Sequence, residues 1–185
     1  MKVVRFATGG RVHTGEARDG ALLDEAGRAY REDEVVWLPP VEPRQVIGLA
    51  LNYADHASEL SVEAPPEPAL FFKPITSLVG HRAPVVYPTG AQYMHYEIER
   101  PEGLVLTTRV NGEVRQQGNT NQLMRSIPEL IAYITDFMTL DRDDMILTGT
   151  PKGISPVHPG DVITMEISRI GVLENRIVAE DASIM

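Results

Sequence analysis

The sequence predicts a mixed, mostly β fold with few helices, and three observations lead to it. Short apolar or alternating runs are separated by turn-forming clusters drawn from 14 prolines and 15 glycines. The dipeptide Asn111-Gly112 sits between two strand-like runs, the signal of a tight primed hairpin. A sustained helical period is confined to one clear stretch, residues 126–138.

Taken in order, residues 1–40 read as a small β-rich appendage. Val3, Val4 and Phe6 open it, Thr8-Gly9-Gly10 turns it, and residues 11–16 alternate again. His13 falls in that alternating run and reads as a surface histidine. The charged stretch 24–34 reads as a solvated face, and Trp37-Leu38-Pro39-Pro40 as a docking edge leading into a main domain, 41–185.

Residues 46–51 form a continuous apolar run suited to a strand buried on both faces. Asn52 breaks it in the position of a helix N-cap, and a short helix over 53–60 follows. On that helix His56 and Glu59 stand at i and i+3, within hydrogen-bonding reach on one face. Residues 64–68 make a stiff proline loop, 69–74 a short apolar strand ending at Lys73, and 80–88 a turn-rich connection. Residues 93–99 read as a strand on which Glu97 and Glu99 point the same way.

Residues 104–110 and 113–117 flank the Asn-Gly turn as a hairpin. Ser126 and Glu129 form a capping box opening a helix whose stripe of Ile127, Leu130, Ile131, Ile134, Phe137 and Met138 reads as core. Residues 145–151 are a buried strand entering a glycine-bearing turn; 162–167 follow the turn at 159–161, and 171–175 read as a last hairpin.

Composition bounds function. A net charge of -9 argues against nucleic acid, which needs a basic face. No apolar run approaches the length of a bilayer span. Residues 1–6 alternate like a strand rather than a secretion signal, and the absence of cysteine removes disulfide, zinc–thiolate and thiol chemistry. A cytoplasmic protein acting on small molecules, with no membrane partner, is the expectation.

Five segments in fixed order resemble the fumarylacetoacetate hydrolase family. They are residues 48–59 (GLALNYADHASE), 70–74 (LFFKP), 94–99 (MHYEIE), 110–113 (VNGE) with Gln116, and 148–153 (TGTPKG). Residues 115–118, 137–140 and 173–178 resemble the branch that acts in aromatic-compound degradation. The resemblance implies a β-roll or barrel around a divalent ion, Mg2+ or Mn2+, commonly in a homodimer. It implies a 2-oxo acid substrate, isomerised or decarboxylated through its enolate, with hydrolysis or decarboxylation of acylpyruvates or oxaloacetate as the alternative.

By resemblance, Glu97 and Glu99 are metal ligands, although a Glu-x-Glu pair on a strand by itself marks a solvated face more often than a site. His56 and Glu59 match the proton-transfer dyad; by spacing alone they could equally be a surface pair. Lys73 and Tyr53 match pocket residues, and Gly149 and Thr150 match the turn that holds the substrate carboxylate.

The chain also departs from the family. After Glu99 the pattern jumps to Pro101-Glu102-Gly103, omitting a segment that in the family brings an aspartate ligand and a second pocket lysine. That gap leaves open a reading of another class, an inactive binding or scaffold protein. A smaller departure is Asp141-Arg142-Asp143-Asp144, where the family has Pro-Gly-Asp and the lost glycine predicts a strained turn.

Overall fold

The N-terminal apolar alternation folds as expected. A computed structural model, describing residues 2–63, 65–92, 94 and 103–180, places β1 (Lys2–Thr8), β2 (Arg11–Arg18), β3 (Ala21–Asp24), β4 (Ala29–Tyr30) and β5 (Val36–Leu38) in one sheet. Its order is β4-β3-β2-β1-β5. Gly9 and Gly10 both take positive φ, which lets a two-residue turn join β1 to β2. Val4, Phe6 and Leu22 form its core, with Tyr30 and Trp37 packed against them.

Two expectations for this sheet are corrected. Asp24 is not merely solvated: its carboxylate accepts from the backbone N–H groups of Ala26 and Arg28 and from the Tyr30 hydroxyl, at 3.0, 2.9 and 3.0 Å. The Arg28 N–H leads the contacts that hold this carboxyl below its ordinary range. His13 is not a free surface residue either, because its ring stacks on Phe6 and its Nδ1 lies 3.7 Å from Asp24. The edge at Trp37 does dock: its ring meets His81 edge-on at 5.0 Å. Gly80 lies so close beneath that a Cβ there would come within 2.1 Å of the Trp37 carbonyl oxygen.

A second sheet runs β10-β9-β12-β13-β8, from β8 (Pro84–Tyr87), β9 (Val105–Val110), β10 (Glu113–Asn119), β12 (Val162–Ile167) and β13 (Gly171–Ala179). Asn111 and Gly112 take φ of 53° and 84°, as a primed turn requires. Val110, Ile163 and Ile177 pack with Val157 as one core cluster, and Leu104, Leu106 and Ile167 form another. The β9–β10 ladder is interrupted by a bulge between Val114 and Gln116.

The third sheet, β11-β6-β7, positions the candidate site. In it β6 (Val46–Ala50) lies between β7 (Ala69–Lys73), antiparallel, and β11 (Met145–Leu147), parallel. Val46 and Ile47 are fully buried, as the apolar run predicts. Asp144 ties together the starts of β6 and β11, accepting from Arg44 and Gln45 backbone N–H groups, the Gln45 side-chain amide and the Asp141 N–H. Burial pushes that carboxyl up, but those hydrogen bonds outweigh it and hold it below its ordinary range. The preceding Asp143 sits at φ 67°, the left-handed conformation that glycine adopts more readily.

The described strands form three open sheets rather than a closed barrel. The strand expected over 93–99 lies outside the described residues, except for Met94. Helix α1 (Ala54–Glu59) follows β6, but Tyr53 occupies its N-cap position and Asn52 does not cap it. Helix α2 (Ile127–Thr135) begins where the capping box predicts, with the Glu129 carboxylate accepting from the Ser126 N–H and hydroxyl at 2.8 Å each. Its stripe is core only at Leu130 and Ile134. Ile131 is 42% exposed and Phe137, just past the helix, 58%, with Phe137 resting edge-on against Tyr133.

No described helix is long and apolar enough to cross a membrane.

Candidate functional site

Two neighbouring parallel strands deliver two loops to the same end of a sheet, the place where open parallel arrangements present ligand-binding groups. Residues 51–56 leave β6 and residues 148–153 leave β11. Asn52 clamps them. Its amide nitrogen donates to the Thr148 carbonyl at 2.7 Å, and its amide oxygen accepts from the Arg125 N–H at 3.0 Å. This is why Asn52 does not cap α1: both ends of its amide are committed to other segments.

Helix α1 then presents the dyad. His56 is 8% exposed and its Nδ1 lies 3.2 Å from a Glu59 carboxylate oxygen. A carboxylate can only accept, so in the neutral ring Nδ1 carries the proton and Nε2 is left as the basic nitrogen. Both Glu59 oxygens also accept from the Gly153 N–H, at 3.1 Å each. The carboxylate therefore joins the imidazole to the turn that bears Thr150. Tyr53 is buried (1% exposed) and forms a lone β-bridge with Leu123, an anchor for the start of the helix.

The 148–153 turn is held on every side. Gln116, 1% exposed, donates to the Thr150 hydroxyl at 2.9 Å and the Pro151 carbonyl at 2.7 Å. Gly153, at φ 97°, lies where a Cβ would meet the Arg115 carbonyl oxygen at 2.2 Å; one at Gly118 would meet the Pro151 ring at 2.9 Å. Gly149 takes φ 108° against Asn52. Among the described residues, two buried polar atoms here have no hydrogen-bond partner: the Thr148 hydroxyl and one Asp55 carboxylate oxygen. The sequence assigned Asn52 to a cap and not a clamp, and marked Gln116 and Thr148 only as members of matching motifs, without a role.

Of the remaining nominated residues, one is placed by its strand and two lie outside the described residues. Lys73 pairs with Val46, at the opposite end of β6 from Ala50 and hence roughly 13 Å away along the strand, with its ammonium 5.9 Å from the Phe71 ring centre. Glu97 and Glu99 lie outside the described residues. Among the described residues no group of three His, Asp or Glu side chains could hold a metal, so those that are described do not by themselves fit one.

Comparison with known proteins agrees with this architecture. The profile of the fumarylacetoacetate (FAA) hydrolase C-terminal family matches residues 45–100 and 98–178, two segments that meet where the pattern breaks. An uncharacterised protein of Archaeoglobus fulgidus is 31% identical, with 97% of both chains covered. That alignment spans 243 residues against the 185 here, so the relative carries residues that this chain lacks. The 4-hydroxyphenylacetate degradation bifunctional isomerase/decarboxylase of Escherichia coli is 35% identical over 75% of this chain, which spans about half that protein's length, 48%. Among solved structures, the 5-carboxymethyl-2-hydroxymuconate delta-isomerase of Mycobacterium smegmatis superposes with a TM-score of 0.82 at 26% identity, covering 97% of this chain and 99% of that one. The chain thus belongs to the fumarylacetoacetate hydrolase family, as a member shorter than its relatives whose family match is split in two near residues 98–100.

Proposed function

We propose that the protein is an isomerase/decarboxylase acting on a 2-oxo, or enol, dicarboxylic acid in the degradation of aromatic compounds. The observation behind this reading is the Glu59 carboxylate shared between His56 and the Gly153 N–H. It fixes a base and a carboxylate-accepting turn in one unit. The isomerase and isomerase/decarboxylase names of the relatives support the reaction class.

In this reading His56 moves the proton. With Nδ1–H held by Glu59, Nε2 takes a proton from the carbon beside the 2-oxo group and returns it at the conjugated carbon, which isomerises the double bond. In decarboxylation the same imidazolium protonates the carbon from which CO2 has left. The Thr150 hydroxyl and the backbone of its turn orient the substrate carboxylate. A Mg2+ or Mn2+ ion held by Glu97 and Glu99 would polarise the 2-oxo group and stabilise the enolate.

The interruption after Glu99 favours a second reading, a catalytically inactive binding protein. Titration calorimetry with Mg2+ or Mn2+ in the presence of oxalate, an enolate mimic, separates the two. Oxalate-dependent metal binding that disappears in Glu97→Ala supports the enzyme. A folded protein that binds neither at millimolar concentration supports the inactive form.

A further inference from the structure

The buried amide of Gln116 is committed in a way that dictates where one hydrogen must go. The Pro151 carbonyl can only accept, so the 2.7 Å contact fixes the nitrogen end of the amide against the 148–153 turn. The oxygen end accepts from the Thr108 hydroxyl at 3.2 Å, which agrees with that orientation. The second amide hydrogen then goes to the Thr150 oxygen at 2.9 Å, making that hydroxyl an acceptor toward Gln116. A hydroxyl that accepts from one side keeps its own hydrogen for another, and among the described residues no acceptor takes it.

The backbone is built for this arrangement. Without the bulge, strict pairing from Val114 opposite Arg109 would set Arg115 opposite Thr108; with it, Gln116 stands there instead. The bulge thereby exchanges an exposed cation for a buried amide opposite Thr108 and against the turn. Gly153 and Gly118 supply the close approach, since a side chain at either would collide with the Arg115 carbonyl or the Pro151 ring.

We infer that Gln116 is a positioning residue that presents the Thr150 hydroxyl as a hydrogen-bond donor to an anionic substrate group, a carboxylate. The inference rests on the function proposed above. It adds a specificity element: the turn recognises a charged acceptor and not a donor such as an amide NH2.

The test is a double-mutant cycle read by calorimetric oxalate affinity in saturating Mg2+, with wild type, Gln116→Leu, Thr150→Val and the pair. Each single variant is expected to weaken oxalate about tenfold or more, as for a hydrogen bond to a charged group. The pair should bind no more weakly than Thr150→Val alone, and Thr150→Ser, which keeps the hydroxyl, should bind within a fewfold of wild type. Should Gln116→Leu not fold, Gln116→Glu keeps the shape but can only accept, turning the Thr150 hydrogen inward, and must also lose oxalate. Additive losses would make Gln116 a structural prop of the turn and overturn the inference, as would wild-type affinity in either Gln116 variant. A wild-type chain that ignores oxalate would instead overturn the function itself, and this inference with it.

Discussion

Both carboxylate oxygens of Glu59 accept from the single N–H of Gly153, at 3.1 Å each, while one of them also lies 3.2 Å from His56 Nδ1. The last turn of helix α1 and the turn after β11 are thus coupled through one carboxylate. Displacing either partner should disturb the other.

Gly153→Ala is the sharpest steric probe of that coupling. Alanine meets both an unfavourable positive φ and a backbone oxygen 2.2 Å from its Cβ. The expected cost is about 2 kcal/mol or more, seen as a lower denaturation midpoint, together with a fall in turnover. Unchanged stability would mean that the turn sits differently.

The dyad itself makes a graded prediction. His56→Ala should lower turnover of a 2-oxo dicarboxylate by about 10² to 10⁴, the usual contribution of a positioned acid–base. Glu59→Gln keeps an acceptor both for Gly153 and for the His56 ring N–H but removes the negative charge beside the ring, so its loss should be smaller. Equal effects of the two variants at every pH would contradict the assigned roles.

His81 gives a pH dependence. Burial, and then the nearby Arg82 charge, lower its pKa below the ordinary 6.5. Its Nδ1 also accepts from the Glu174 N–H at 3.1 Å, a bond that the imidazolium cannot form. For a histidine depressed in the folded state, the unfolded chain binds more protons, so stability is present above pH 6.5 and lost as pH falls through the folded value. Thermal denaturation should therefore drop more between pH 7.5 and 5.5 in wild type than in His81→Gln. Parallel curves would remove His81 from the account.

Asp144 should behave in the opposite part of the pH scale. Its four hydrogen-bond donors join the starts of β6 and β11. Solvent reaches part of the carboxylate, so Asp144→Ala is expected to cost about 1–2 kcal/mol, or several degrees in Tm. The depressed pKa means its contribution is present above the ordinary 3.8 and fades as pH falls below it. A variant as stable as wild type at pH 7 would refute the clamp.

Much of the fold could be read in advance where local chemistry decides it. Asn111-Gly112 has few alternatives to a primed turn, and Ser126 with Glu129 marks a helix start through contacts three residues apart. Asn52 misled for the opposite reason. Its local preference was for a cap, but acceptor and donor groups from Thr148 and Arg125, distant in sequence, claimed its amide. Gln116 was hidden by the bulge, since one inserted residue reverses which side chains face inward and alternation cannot reveal it. Asp24 looked solvated because two of its partners are backbone N–H groups, which sequence patterns do not display, and the third is the Tyr30 hydroxyl six residues on. The α2 stripe was overread because periodicity identifies a helix face without saying how much of it a neighbour covers.

Proton exchange tests the central claim most directly. Oxaloacetate, a 2-oxo dicarboxylate, is incubated in D2O with the protein and Mg2+, and deuterium at its C3 position is followed by NMR against the same buffer and Mg2+ without protein. Exchange well above the buffer rate is expected in wild type, and exchange at the buffer rate in His56→Ala. Wild-type exchange no faster than buffer, or a His56→Ala variant as fast as wild type, would contradict that claim.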